Sequence, residues 1–164
     1  MKKTLILFNL LLPLFVLAHT KVDSVPYDGI PPGIKVLFQK PDSTFKRLKQ
    51  GTGYFNSRVH ATITGSLFPG NYRDAAVELE QIRSTKMTKF LDTIYHRIGT
   101  SKGFSLLRES ISPDSNSHEI FILITTIIPN NDHSTFMVVG IYPKSFDDNL
   151  REKFIRSALS IQAH

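Results

Sequence analysis

The sequence predicts an α+β fold in which an antiparallel β-sheet is flanked by helices, an α/β/α sandwich. Three observations carry that prediction. Four strand-length runs between Asp92 and Tyr142 follow one another through "GTSKG", "SPDSNS" and "PNNDH", each too short for the dozen or more residues of a parallel crossover. The last two runs, Ile120 to Ile128 and Phe136 to Tyr142, are apolar almost without interruption, as strands covered on both faces are. Two segments of helical period stand before and after these strands, so the covering elements are at hand.

The chain opens with Lys2 and Lys3 ahead of an apolar run from Leu5 to Ala18, with small residues at Val16 and Ala18. That is the pattern of a secretory signal peptide cut after Ala18. The run holds Asn9 and Pro13 and falls short of the roughly 20 residues a membrane span requires. The expectation is a secreted or periplasmic protein with no transmembrane segment after cleavage. There is no cysteine, so a domain in a disulfide-permissive compartment stands on its core alone.

Residues His19 to Gly33 carry Pro26, Pro31 and Pro32 and read as an extended lead-in. Ile34 to His164 reads as one α+β domain, a length that buries a substantial core without staples. "GIKVLFQKP" is a short strand ended by Pro41. Lys46 to Gly53 is basic and glycine-bearing, which suggests an exposed loop. "RVHATITGSLF" sets Val59, Ala61 and Ile63 against Arg58, His60, Thr62 and Thr64, the period of a strand with one wet face.

"NYRDAAVELEQIRSTKM" gathers Tyr72, Ala75, Ala76, Leu79 and Ile82 on one side of a helix. After the four-stranded meander, Ser145 with Asp148 predicts an approximate capping box, and Asp147 adds negative charge at the positive helix end. Leu150, Phe154, Ala158 and Leu159, joined by Ile155 and Ile161, form that helix's inward stripe.

A leader-bearing chain that runs from strand to helix through "FPGNYRDAA", continues in antiparallel strands, and closes with "GIYP" and an amphipathic helix resembles the PsbP-like family in its secreted bacterial form. The resemblance spans Ile34 to Gln162. It implies an antiparallel sheet between helices, a fold shared with nuclear Ran-binding proteins. It also implies a mostly non-catalytic role, as an extrinsic subunit of a photosynthetic complex or as a protein-binding module. It carries over no metal-binding or partner-binding residue.

The formal net charge is +6, with two of the positive charges in the leader. That mild excess suits an anionic surface or partner, without the dense clustering of a nucleic-acid binder. The best local signal for a partner is "FKRLKQGTGYFNSR", where Lys46, Arg47, Lys49 and Arg58 flank Tyr54 and Phe55. Such cations attract phosphate or carboxylate, and an aromatic supplies flat contact area. The bland reading is a solvated loop with Phe55 tucked beneath it.

Catalytic patterns are weaker. In "TGSLFPG" the second glycine falls too late for the G-x-S-x-G turn of many hydrolases, and Ser66 with His60 is the best nucleophile and base pair on offer. Cleavage after Ala18 would put the amine and imidazole of His19 together, a copper-type donor set. His60, His96, His118, His133 and His164 show no paired ligand spacing. The acids of "KSFDDN" lack the repeated oxygen ligands of a calcium loop. The sequence therefore predicts no cofactor, no metal and no catalytic residue. It predicts a secreted or periplasmic binding or accessory module for a protein, envelope component or anionic ligand. A small hydrolase with a dispersed site is the alternative.

Overall fold

The computed structural model describes residues 36–99, 101–111 and 119–163. The leader, its cleavage point, His19 and most of the lead-in lie outside the described residues.

One seven-stranded sheet organises the chain, and every pairing in it is antiparallel. Two short strands, β1 (Val36–Leu37) and β9 (Gln162–Ala163), pair with each other apart from it. The large sheet is built from β2 (Lys46–Arg47), β3 (Gly53–Asn56), β4 (Ala61–Pro69), β5 (Thr88–Ile98), β6 (Ser101–Ile111), β7 (Ile120–Asn131) and β8 (Ser134–Pro143). Their spatial order is β2-β3-β4-β8-β7-β6-β5. Helix α1 (Tyr72–Gln81) lies in the connection from β4 to the far edge strand β5, and α2 (Asp147–Leu159) follows the middle strand β8.

Because strand side chains alternate between faces, the central strands feed two cores. On one face Ile63, Ile122, Ile124, Phe136, Val138 and Tyr142 meet Leu150, Phe154 and Ala158 of α2. On the other, Leu106, Leu123, Ile127, Met137 and Val139 meet Ala75 and Leu79 of α1. The expected meander and its two covering helices are therefore present. The α2 core is tightest where Phe154 lies over Gly140. A Cβ on Gly140 would come 2.2 Å from Phe154 Cδ1, so only a residue without a side chain lets the helix settle there.

Several boundaries differ from the sequence reading, each for a local reason. The expected open loop from Lys46 to Gly53 folds into the β2–β3 hairpin, with Lys46 opposite Phe55 and Arg47 opposite Tyr54. Strand β5 starts at Thr88 rather than Asp92, because a bulge between Phe90 and Asp92 puts the alternation out of phase. Helix α1 stops at Gln81. Beyond it Ser84 Oγ accepts from the Phe90 N–H and Thr85 Oγ1 accepts from the Met87 and Thr88 N–H groups, turning the chain.

The capping box at Ser145 does not form. Lys144–Phe146 makes a single 3₁₀ turn, α2 begins at Asp147, and its N-cap Phe146 offers no side-chain bond. Asp147 is drawn elsewhere, accepting from the Tyr142 hydroxyl at 2.8 Å and from Arg151 Nε at 3.0 Å.

Candidate functional site

The β2–β3 hairpin forms one edge of the sheet, and its register decides where the candidate side chains go. Tyr54 faces the α2 core. Its hydroxyl donates to the Phe38 carbonyl at 2.8 Å, and its ring meets Phe38 edge-on at 5.4 Å. Tyr54 thus braces the hairpin from within.

Lys46 shares a face with Phe55, and Arg47 shares one with Tyr54. The two exposed cations are neighbours on the edge but point to opposite sides of the sheet. Lys49 sits at the turn, where the Leu48 N–H donates to the Gly53 carbonyl at 3.0 Å. Arg58 sits beyond the other end, with its N–H on Asn56 Oδ1 at 3.0 Å. The hairpin therefore brings together Lys46 and Arg47 and separates Lys49 from Arg58.

Among the described residues the ion pairs are Arg83–Glu80, Lys144–Glu109, Arg151–Asp147 and Lys153–Asp42. None includes a hairpin cation. The Lys153 ammonium, 2.8 Å from Asp42, holds that carboxyl well below its usual range, at about 2.

Ser66 and His60 are not brought together as a catalytic pair. Ser66 Oγ sits on β4 and makes a long 3.5 Å contact to the Met137 carbonyl. His60 is exposed in the turn before that strand, at φ 50°. Five residues of extended chain, about 17 Å, separate Ala61 from Ser66.

A different pair was missed in the sequence. His96 Nε2 lies 2.8 Å from Ser105 Oγ, which lies 2.7 Å from Thr126 Oγ1. Ser105 and Thr126 are directly opposite on β6 and β7, so only strand register could have revealed them. Ser105 is 0% exposed, out of reach of any substrate carbonyl. Burial pushes the His96 imidazole below its ordinary pKa. The chain is a polar zipper between strands. Among the described residues no group of three His, Cys, Asp or Glu side chains could hold a metal ion.

Beneath the other helix lies a charge that sequence reading also missed. Arg108 is 1% exposed. Its Nη1 donates to the Ile82 carbonyl and its Nη2 to Thr125 Oγ1, each at 3.0 Å, while Nε has no partner. Burial lowers its pKa to about 10, so it remains a cation at neutral pH. Ile82 is the C-cap of α1, whose last turn has no basic residue of its own. Arg108 supplies the positive charge that the negative end of a helix favours, and it fastens α1 to the sheet.

Among solved structures, the chain is similar to LpqN of Mycobacterium tuberculosis, a protein described as involved in cell envelope biogenesis. The TM-score is 0.56 at 12% identity, over 83% of this chain and 87% of that one. It is also similar to a cyanobacterial PsbP, CyanoP from Synechocystis, at TM-score 0.45 and 8% identity over 87% and 99% of the two chains. Neither a family model nor a curated protein matches the sequence. The chain shares its fold with LpqN, an antiparallel sheet between helices, and that arrangement is the one the resemblance implied. No helix among the described residues is long and apolar enough to cross a membrane.

Proposed function

We propose that the protein is an extracytoplasmic binding or accessory module, secreted or periplasmic after cleavage behind Ala18, with no chemistry of its own. It presents the β2–β3 hairpin to a protein, an envelope component or another anionic ligand. Lys46, Arg47 and Lys49 meet the partner along the sheet edge, Lys46 and Arg47 from its two sides, with Arg58 and Tyr54 at the margin. The observation that carries this reading is that Lys46, Arg47 and Lys49 of the hairpin, and Arg58 just beyond it, enter none of the ion pairs among the described residues. The role in envelope biogenesis described for LpqN supports the same class of function.

The test is capture of a partner from an extract of the native envelope, repeated with Lys46→Glu, Arg47→Glu and Lys49→Glu combined. Association should slow in the triple variant, and the difference should shrink as salt shortens the Debye length from about 10 Å at 0.1 M. Equal association rates at low salt would return the hairpin to an ordinary solvated surface. N-terminal sequencing of exported protein should begin at His19, and a retained Met1 would overturn the assigned compartment.

A small hydrolase is the second reading, and the 2.8 Å contact between His96 and Ser105 is the observation that favours it. Ester hydrolysis lost in Ser105→Ala would establish it. The burial of Ser105 is the reason to expect no turnover at all.

A further inference from the structure

The opposite end of the sheet carries an unneutralised surface of a different kind. In the β5–β6 hairpin Arg97 stands directly opposite Lys102, and two residues away on the same face Tyr95 stands opposite Phe104. Like charges placed directly opposite each other across strands are destabilising. Neither cation belongs to an ion pair among the described residues.

Tyr95 is 79% exposed. Behind it lies a short aromatic row, with the Phe104 ring 6.2 Å from both Tyr95 and Tyr72. The row is backed by α1, since Tyr72 opens that helix and Phe104 belongs to its core. A rigid aromatic base thus carries one outward ring and two cations at the corner where edge strand meets hairpin.

We infer that this corner is a docking surface for an anionic phospholipid membrane, with Arg97 and Lys102 on lipid phosphates and Tyr95 at headgroup level. Arg97 lies two residues beyond Tyr95, about 7 Å along the strand, so ring and cations reach one patch of headgroups. Three features favour a lipid surface. Tyrosine, apolar in its body and polar at its tip, suits the membrane interface. Basic residues close to an anionic leaflet are attracted by it. The site is an outward corner of exposed side chains, so it meets an extended array of phosphates better than it encloses one.

The inference deepens the extracytoplasmic binding reading and rests on it for the compartment. It uses none of the β2–β3 cations, so the two can fail separately.

The experiment is co-sedimentation of the purified protein with vesicles of phosphatidylglycerol and phosphatidylcholine, against vesicles of phosphatidylcholine alone. Wild type should bind the anionic vesicles and not the neutral ones. Arg97→Ser with Lys102→Ser should weaken binding by more than about tenfold, taking about fivefold for each cation. Tyr95→Ser should weaken it further. Lys86→Ser with Lys89→Ser removes the same charge elsewhere on the exposed surface and should change binding far less.

Because it relieves a like-charge pair, the Arg97/Lys102 double variant should melt no lower than wild type. A lower melting temperature would make the pair structural and overturn the inference. So would equal binding by the two double variants, equal binding to neutral vesicles, or release by millimolar inorganic phosphate at constant ionic strength. Recovery of an acidic protein cross-linked through Arg97 or Lys102, with no vesicle binding, would also overturn it and would leave the broader binding reading intact.

Discussion

The two faces of the sheet are covered to different degrees. On the α2 face Phe154 meets Tyr142 at 4.9 Å and Phe45 at 5.7 Å, both edge-on, and presses onto Gly140. Three polar links tie the same helix to the segment after β1. Ser157 Oγ donates to the Gln39 carbonyl, the Gln39 N–H donates to Ser160 Oγ at 2.8 Å, and Lys153 pairs with Asp42.

Helix α1, by contrast, buries only Ala75 and Leu79 fully and leans on one guanidinium. Thr62, Thr64 and Ser66 lie half-exposed beyond it, and Val77 points outward. One face is committed to stability. The other keeps side chains free for contact, and the Tyr95 corner belongs to it.

The largest effect that would break this comparison is Phe154→Asp, which sets an unpaired charge against the sheet. It should cost several kcal/mol, about 3–5, seen as a collapse of the denaturant midpoint. A near-native midpoint would show that α2 is not the structural anchor. Arg108→Met should cost less, about 1–3 kcal/mol, because the Ile82 carbonyl and Thr125 hydroxyl lose their donor. Its signature is local, with amide exchange accelerated in α1 and unchanged in α2. Uniform acceleration would mean that the two faces open together.

A pH series sharpens the comparison further. Burial holds the His96 pKa below the ordinary 6.5, so as pH falls the unfolded chain takes up the proton first. The His96 contribution is complete above about pH 6.5, declines as pH falls toward the folded pKa, and levels off below it. His96→Gln should flatten that part of the profile, and an unchanged slope would exclude His96 as its source. The smallest effect is Arg151→Ala. This partly exposed pair with Asp147 is worth up to about 1 kcal/mol, and a larger loss in thermal melts would mean that the Tyr142–Asp147–Arg151 group acts as a unit.

What the sequence revealed follows from which forces are local. Apolar runs with few interruptions at Ile120–Ile128 and Phe136–Tyr142 disclosed the buried strands, and helical spacing disclosed Ala75, Leu79, Leu150 and Phe154. Registration between distant strands was hidden, and with it the Arg97–Lys102 opposition and the His96–Ser105–Thr126 zipper. Two-residue strands such as Lys46–Arg47 are too short to show a period. Tyr54 looked like a contact residue because exposure cannot be read from a basic neighbourhood, and its partner Phe38 lies sixteen positions away.

The pairing of β1 with β9, Val36 opposite Ala163 and Leu37 opposite Gln162, has a kinetic meaning. Synthesis proceeds from the N-terminus at about 5–20 residues per second, so the first strand emerges long before its partner exists. Ordering it early would require closing a loop around almost the entire domain, and such distant contacts form slowly. Val36 and Leu37 therefore cannot take their strand partners until the residues after the last helix have been made, whereas Phe38 can meet Tyr54 much earlier.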